Sequence, residues 1–287
     1  MKELVVISGK GGTGKTSVTA SLAVLANDPV IVDCDVDAAD LHLVIKPDIE
    51  KEHDFFSGSV ATTDLSKCTS CGRCRDLCRF DAVREDFSID PIACEGCSVC
   101  VEFCPEKAIT LKEKMAGRWF EATSEYGATY FARLNIAEDN SGKLVSEVRN
   151  KAKIFARDNN KEFVIIDGPP GIGCPVIASV TGASLVLIVT EPTVSGVHDM
   201  KRVVELAEHF QIPVMVCINK YDLSSRVTAE LEEWCGEKGL PVVGKLPYDM
   251  AVTEAMVAEL PVVKYYDGPV ALELKKVWGN IMEKLLD

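Results

Sequence analysis

The chain has 287 residues, enough for one large α/β domain plus an insert, and its 47% hydrophobic content is ample for a sizeable core. Lys and Arg total 31 against 44 Asp and Glu, a formal net charge of -13 that argues against non-specific binding to nucleic acid or an anionic membrane. The cysteine count, 12, would suit a secreted disulfide scaffold, yet eight of these residues fall in tight C-x-x-C spacing, the pattern of metal binding inside a reducing cell.

The chain runs almost at once into the apolar "ELVVISG", without a charged-then-apolar leader. No apolar run approaches the roughly 18–20 residues of a membrane span. A cytoplasmic protein without a membrane span is expected. Leu4–Ser8 reads as a buried strand ending at a glycine loop, followed by a helix over 15–26 and a second strand over 30–35. From about Ser59 to Lys114 the texture changes: cysteines appear and long apolar runs vanish. Strand patterns resume at "FVIIDG", "SLVLIVT", "PVMVCIN" and "PVVGKL", with helices predicted over 141–159, 196–209, 225–236 and 268–286. Short apolar strands alternating with helices predict an α/β fold, a parallel sheet covered on both faces. The predicted organisation is a discontinuous domain over 1–58 and 115–287, interrupted after its second strand by a cysteine module over 59–114.

"GKGGTGKT", Gly9 to Thr16, satisfies G-x-x-x-x-G-K-S/T after a predicted strand and before a predicted helix, the context that motif requires. Backbone N–H groups along Gly9, Gly11, Gly12, Thr13 and Gly14, with the helix start at Lys15, Thr16 and Ser17, would cradle phosphate oxygens. Lys15 would reach the terminal phosphates and the Thr16 hydroxyl would ligate Mg2+. "VDCDVDAAD" places Asp33, Asp35, Asp37 and Asp40 after the second strand; Ala38 and Val44 stand where a calcium loop needs Gly and Glu, so that reading fails. "IIDGPPG" puts Asp167 at a strand end, the position that holds Mg2+, usually through water.

With Lys10 inside the loop, K-G-G-x-G-K-T resembles the deviant Walker A motif of the MinD/ParA ATPases, a group that also holds the nitrogenase iron protein and Mrp-type iron–sulfur carriers. The resemblance implies a mostly parallel, doubly wound P-loop sheet and ATP hydrolysis in a sandwich dimer. Lys10 would reach the partner's phosphates, Asp35 in switch I would orient the attacking water, and switch II would start at Gly168. "INKYD" puts Asn219 where the family contacts adenine, with Pro247 in the base-flanking loop "GKLPYD". The same "INKYD" also fits N-K-x-D, in which Asp222 would read guanine, so both bases stay open and ATP is favoured.

Cys68, Cys71, Cys74 and Cys78 follow C-x-x-C-x-x-C-x-x-x-C, and Cys94, Cys97, Cys100 and Cys104 repeat it 26 residues later. This resembles a bacterial ferredoxin with two [4Fe–4S] clusters, a small α+β domain, and Cys104-Pro105 completes its signature. Arg79 stands where proline is usual in the first run. The resemblance implies exchanged fourth ligands: Cys68, Cys71, Cys74 and Cys104 on one cluster, Cys94, Cys97, Cys100 and Cys78 on the other. Zinc sites use C-x-x-C pairs split by a longer spacer, not three cysteines at successive x-x intervals. A purely structural module remains open. Lys67, Arg73, Arg75, Arg79 and Arg84 form a locally basic stretch that could dock an acidic redox partner.

Cys174 lies seven residues after Asp167, where the nitrogenase iron protein shares a cluster across its dimer, but no matching second cysteine is seen and a small buried thiol is the commoner explanation. "NSGKLV" from Asn140 opens a helix. The last helix has an apolar face with Leu274, Val277, Trp278, Ile281, Met282 and Leu285, read as core rather than membrane-binding because its flanking charges cancel. The expected function is an ATP-hydrolysing iron–sulfur protein coupling a nucleotide-dependent homodimer to electron transfer or metal–sulfur cluster assembly on a partner protein. The alternative is a positioning or scaffold ATPase whose ferredoxin module only docks or senses redox state.

Overall fold

The computed structural model describes residues 1–136, 138 and 141–286. Nine strands form one sheet in the order β3-β4-β5-β2-β6-β1-β7-β8-β9. The elements run β1 (Lys2–Ser8), α1 (Lys15–Leu25), β2 (Val30–Asp33), α2 (Leu41–Ile45), β3 (Asp48–Thr63), α3 (Arg73–Leu77), α4 (Val99–Glu102), β4 (Ile109–Ser124) and β5 (Gly127–Leu134). They continue with α5 (Ser141–Asp158), β6 (Phe163–Pro170), α6 (Cys174–Val180), β7 (Leu185–Thr190), α7 (Val194–His209), β8 (Val214–Asn219), α8 (Ser225–Lys238), β9 (Val242–Leu246), α9 (Met250–Val257), α10 (Val262–Tyr265) and α11 (Pro269–Leu286).

Seven strands, from β5 across to β9, pair parallel. Their apolar runs are buried on both faces, as in all-parallel sheets. Leu4 and Val6 of β1 pack with Val18 and Leu22 of α1 and with Val277 and Ile281 of α11, while the alternate residues Val5 and Ile7 face the opposite side. Leu274, Val277, Ile281 and Leu285 all belong to that core, and Trp278 and Met282 pack against it. The apolar stripe of the last helix is therefore core. No described helix is long and apolar enough to cross a membrane.

Register sets up the site. Asp33 of β2 lies opposite Asp167 of β6, and Val6, two residues before the end of β1, pairs with the same Asp167. The glycine loop, the first aspartate pair and the β6 aspartate thus emerge side by side at the carboxyl ends of neighbouring parallel strands, where open α/β sheets bind ligands.

The chain divides into two compact units. The first holds Met1–His53, Trp119–Arg133 and Ser141–Asp287, and the second Asp54–Arg118 and Leu134–Asn140. Strands β3 and β4 each run from one unit into the other. Partners on them descend along β4 as they ascend along β3, with Lys51 on Glu121, His53 stacked on Trp119, and Asp64 N–H on the Ala108 carbonyl, so the pair is antiparallel. The sequence reading contains neither strand, nor β5; in β3, "DIEKEHDFF" is charged and mostly exposed and shows no apolar run. Asn140, which opens the predicted "NSGKLV" segment, lies outside the described residues.

One buried ion group ties α5 to the sheet of the first unit. Arg149 donates to the Ala178 and Thr181 carbonyls at the end of α6, at 3.1 and 2.7 Å, and to Glu3 Oε2 at 3.2 Å. Lys153 reaches the same Glu3 oxygen at 2.6 Å. Replacing Arg149 by Met leaves two carbonyls unanswered and the buried Glu3 carboxylate with Lys153 as its one remaining ion-pair partner among the described residues. We expect a loss of about 3–5 kcal/mol in urea unfolding, with part regained in Arg149→Met/Glu3→Gln.

Candidate functional site

The loop after β1 is shaped by positive-φ glycines. Gly14 sits at φ 87° as the N-cap of α1, and a Cβ there would strike the Asn219 amide, so glycine is required on two counts. From Lys15 onward the free N–H groups at the start of α1 face the space beyond the loop, the usual place for a phosphate.

Lys15, Thr16, Asp35 and Asp167 converge there. Lys15 Nζ lies 2.8 Å from Asp167 Oδ1 and 3.6 Å from Asp35 Oδ2, while Thr16 Oγ1 donates to Asp167 Oδ2 at 2.8 Å. Burial works against the Lys15 charge, but Asp167, Asp35 and Asp33 together hold its pKa above the ordinary lysine value. Burial and then the Asp167 charge push Asp33 well above the usual carboxylate range. Its two oxygens accept the N–H groups of Asp35 at 3.0 Å and Leu41 at 3.2 Å, clamping both ends of the loop that carries Asp35. Hard oxygen donors grouped beside a single lysine suit Mg2+, which the Thr16 hydroxyl and the Asp167 carboxylate would hold.

Lys10 stands apart from this group, and it is not a solvated loop lysine. Its Nζ pairs with Glu191 Oε1 at 2.6 Å and donates to Thr193 Oγ1 at 3.2 Å and Ser195 Oγ at 3.1 Å, all in the same chain. Lys220 takes the other Glu191 oxygen at 3.3 Å and also reaches the Gly12 carbonyl. Burial opposes the Glu191 charge, but these two lysines hold its pKa below the ordinary value. Sequence reasoning missed Glu191. Its signal was available: like Asp167, it is an acidic residue directly after an apolar strand.

Asn219 ends β8, and its side chain donates to the Thr13 carbonyl at 2.7 Å while accepting from Lys220 N–H at 2.9 Å. Pro247 follows β9 in the next strand position, since Asn219 is in register with Leu246. Asp222 Oδ1 accepts the Tyr248 N–H at 2.8 Å, tying "INKYD" to the "GKLPYD" loop.

In the second unit the cysteines fall into two cavities. Cys68, Cys71, Cys74 and Cys104 line one, with Phe87, Pro105 and Ile109. Cys78, Cys94, Cys97 and Cys100 line the other, with Phe80, Val83 and Ile89. The backbone repeats along with the cysteines. Ser70, Gly72 and Asp81 have positive φ, and so do Gly96, Ser98 and Lys107, each 26 residues further on. Such turns aim N–H groups at one concavity: Ser70 N–H points to Cys68 Sγ at 3.4 Å and Ala108 N–H to Cys104 Sγ at 3.3 Å, while Ala61 N–H, from β3, points to Cys94 Sγ at 3.4 Å. At Gly96 a Cβ would run into the Ser59 carbonyl.

Among the described residues no three His, Cys, Asp or Glu side chains converge closely enough to hold a single ion. Each cavity is nevertheless lined by four cysteines. Burial, then Cys94 and Cys97, push the Cys100 thiol up to about 11, and burial with Cys68 and Cys71 likewise raises Cys74. A metal bound by these thiols would therefore displace protons.

Three of the five basic residues of the first cysteine run are answered locally: Lys67 by Asp64, Arg75 by Glu85 and Arg84 by Asp90. Arg79 lies over the Phe80 ring. Cys174 is exposed as the first residue of α6, whereas Cys34, Cys217 and Cys235 are buried.

A P-loop opening α1, a strand-end aspartate in register beside it and a clamped acidic loop define a nucleotide-binding domain of the P-loop class. The chain belongs to the CobQ/CobB/MinD/ParA nucleotide-binding domain family, whose profile matches residues 4–262. An uncharacterised protein of Methanocaldococcus jannaschii is 35% identical over 226 residues, 78% of this chain and 79% of its own length. An iron–sulfur cluster carrier protein of Pyrococcus abyssi is 27% identical over 160 residues, covering 51% of this chain and 52% of that protein. The septum site-determining protein MinD of Pyrococcus horikoshii, solved with Mg-ADP, matches over 98% of this chain and 95% of its own, with a TM-score of 0.60 at 19% identity, a likeness of fold.

Proposed function

We propose that the protein is a Mg·ATP-hydrolysing iron–sulfur protein. In this reading a nucleotide-dependent homodimer governs electron delivery to a partner protein, or metal–sulfur cluster assembly on it. The observation that carries it is the pairing, in one chain, of the Lys15–Asp35–Asp167 site with two four-cysteine cavities. The sequence similarity to an iron–sulfur cluster carrier over about half the chain supports the same direction.

In this reading Lys15 would leave Asp167 for the terminal phosphates, the Thr16 hydroxyl and the Asp167 carboxylate would hold Mg2+, the latter through water, and Asp35 would orient the attacking water. Lys10 leaves Glu191 and completes the partner's site. Asn219 and the Pro247 loop flank the base, with ATP favoured over GTP. Cys68, Cys71, Cys74 and Cys104 would hold one [4Fe–4S] group, and Cys78, Cys94, Cys97 and Cys100 the other. These groups supply one-electron redox chemistry or transferable iron and sulfide when bound. The chain itself provides the link: the Asp35 loop leads within α2 to β3, and β3 runs on into the cysteine unit. A positioning ATPase with a membrane-binding last helix is disfavoured, because the apolar stripe of α11 is spent on the core.

Anaerobic reconstitution of the full chain with ferrous iron and sulfide tests the reading. About eight irons per chain with [4Fe–4S] EPR signals after reduction are expected, together with Mg2+-dependent ATP turnover. One metal per chain, or turnover indifferent to Mg2+, would contradict it.

A further inference from the structure

Thr19 lies one turn inside α1 and is wholly buried. Its hydroxyl has two acceptors in reach, the Lys15 carbonyl at 3.0 Å and Asp167 Oδ1 at 2.8 Å. A hydroxyl has one proton to give. A threonine within a helix ordinarily gives it to the carbonyl four residues back, as Ser21 does to Ser17 at 2.8 Å. Thr19 differs in that a carboxylate offers the shorter contact. A hydrogen bond to an ionised group is roughly twice as strong as one to a neutral carbonyl. The proton therefore goes to Asp167.

The three donors on Asp167 are not equivalent. Oδ1 accepts from Lys15 and Thr19, and Oδ2 from Thr16. Lys15 and Thr16 are the groups that turn to phosphate and metal when Mg·ATP enters. Thr19 sits below them on the buried face of the helix, away from the loop, and keeps its bond.

We propose that Thr19 is a positioning residue of the magnesium site, fixing the Asp167 carboxylate through Oδ1 so that Oδ2 faces the metal's water shell. The proposal rests on the reading of Asp167 as the magnesium-side carboxylate. Thr19 touches neither nucleotide nor metal; it acts only through Asp167. Side chains that orient the groups at a metal are typically worth about 10–100-fold in metal affinity.

The test is a Mn2+ titration of the full chain with saturating ADP, in which EPR reads free Mn2+, on wild type, Thr19→Val, Thr19→Ala and Thr19→Ser. Thr19→Val and Thr19→Ala are expected to weaken Mn2+ binding about tenfold or more, with metal-free ADP binding unchanged. Thr19→Ser, which keeps the hydroxyl, is expected to bind Mn2+ like wild type. ATP turnover should fall in Thr19→Val at limiting Mg2+ and recover at saturating Mg2+. Thr19→Ala, a good helix former, carries the comparison if the valine variant fails to fold. Unchanged Mn2+ affinity in Thr19→Val or Thr19→Ala, or a Thr19→Ser variant as weak as they are, overturns the Thr19 assignment alone. A wild type whose Mn2+ binding ignores ADP overturns the Asp167 reading with it.

Discussion

Lys10→Ala is expected to lower ATP turnover by about 10³-fold or more, the scale set by a cation supplied in trans to a transferring phosphoryl group. Nucleotide-dependent dimerisation should be lost with it, while the monomer still binds ADP. The reason lies in where Lys10 rests. Glu191, Thr193 and Ser195 hold its ammonium group in cis, and Lys15, not Lys10, occupies the Asp167 corner. In the proposed reading, a lysine held in this way would act only after it is released. Glu191→Gln weakens the anchor, so it should dimerise at lower concentrations of a non-hydrolysable ATP analogue than wild type, as read by light scattering. Full turnover in Lys10→Ala would sink the trans role.

The second large effect concerns the exchanged cysteines. Cys78 lies in the sequence run of Cys68, Cys71 and Cys74, yet it lines the cavity of Cys94, Cys97 and Cys100, and Cys104 makes the reciprocal exchange. Removing one of the four ligands should cost the whole group, so Cys78→Ser and Cys104→Ser should each retain about four of eight irons. Double variants separate the sites, because residues serving one site are not additive. Cys78→Ser/Cys94→Ser should lose no more iron than Cys94→Ser alone, and Cys78→Ser/Cys68→Ser should lose nearly all. The opposite pattern would show that each run binds its own group.

Much of the nucleotide site was legible because it is local. The glycine loop, Lys15 and Thr16 are contiguous, and Asp167 follows an apolar run whose strand character is unambiguous. The contacts that organise the site are not local. Glu191 meets Lys10 across 181 positions, and Thr19 meets Asp167 across 148. A buried threonine in a helix looks like any other until the neighbouring strand is placed. The cysteine repeat was legible by spacing, and its assortment into two cavities was expected only by resemblance to ferredoxins. Strands β3 and β4 escaped for a different reason. Their pairing depends on cross-strand contacts such as Lys51 with Glu121 and His53 on Trp119, which no alternation of apolar residues announces.

The central claim is that nucleotide state reaches the cysteine unit. The anaerobically reconstituted protein should be titrated redox-potentiometrically with EPR detection, without nucleotide, with Mg·ADP and with a non-hydrolysable Mg·ATP analogue. The account predicts that the analogue alone shifts the midpoint potential of at least one [4Fe–4S] signal, and that Asp35→Asn, which disturbs the loop leading to β3, diminishes the shift. Potentials and line shapes identical in all three conditions would contradict it.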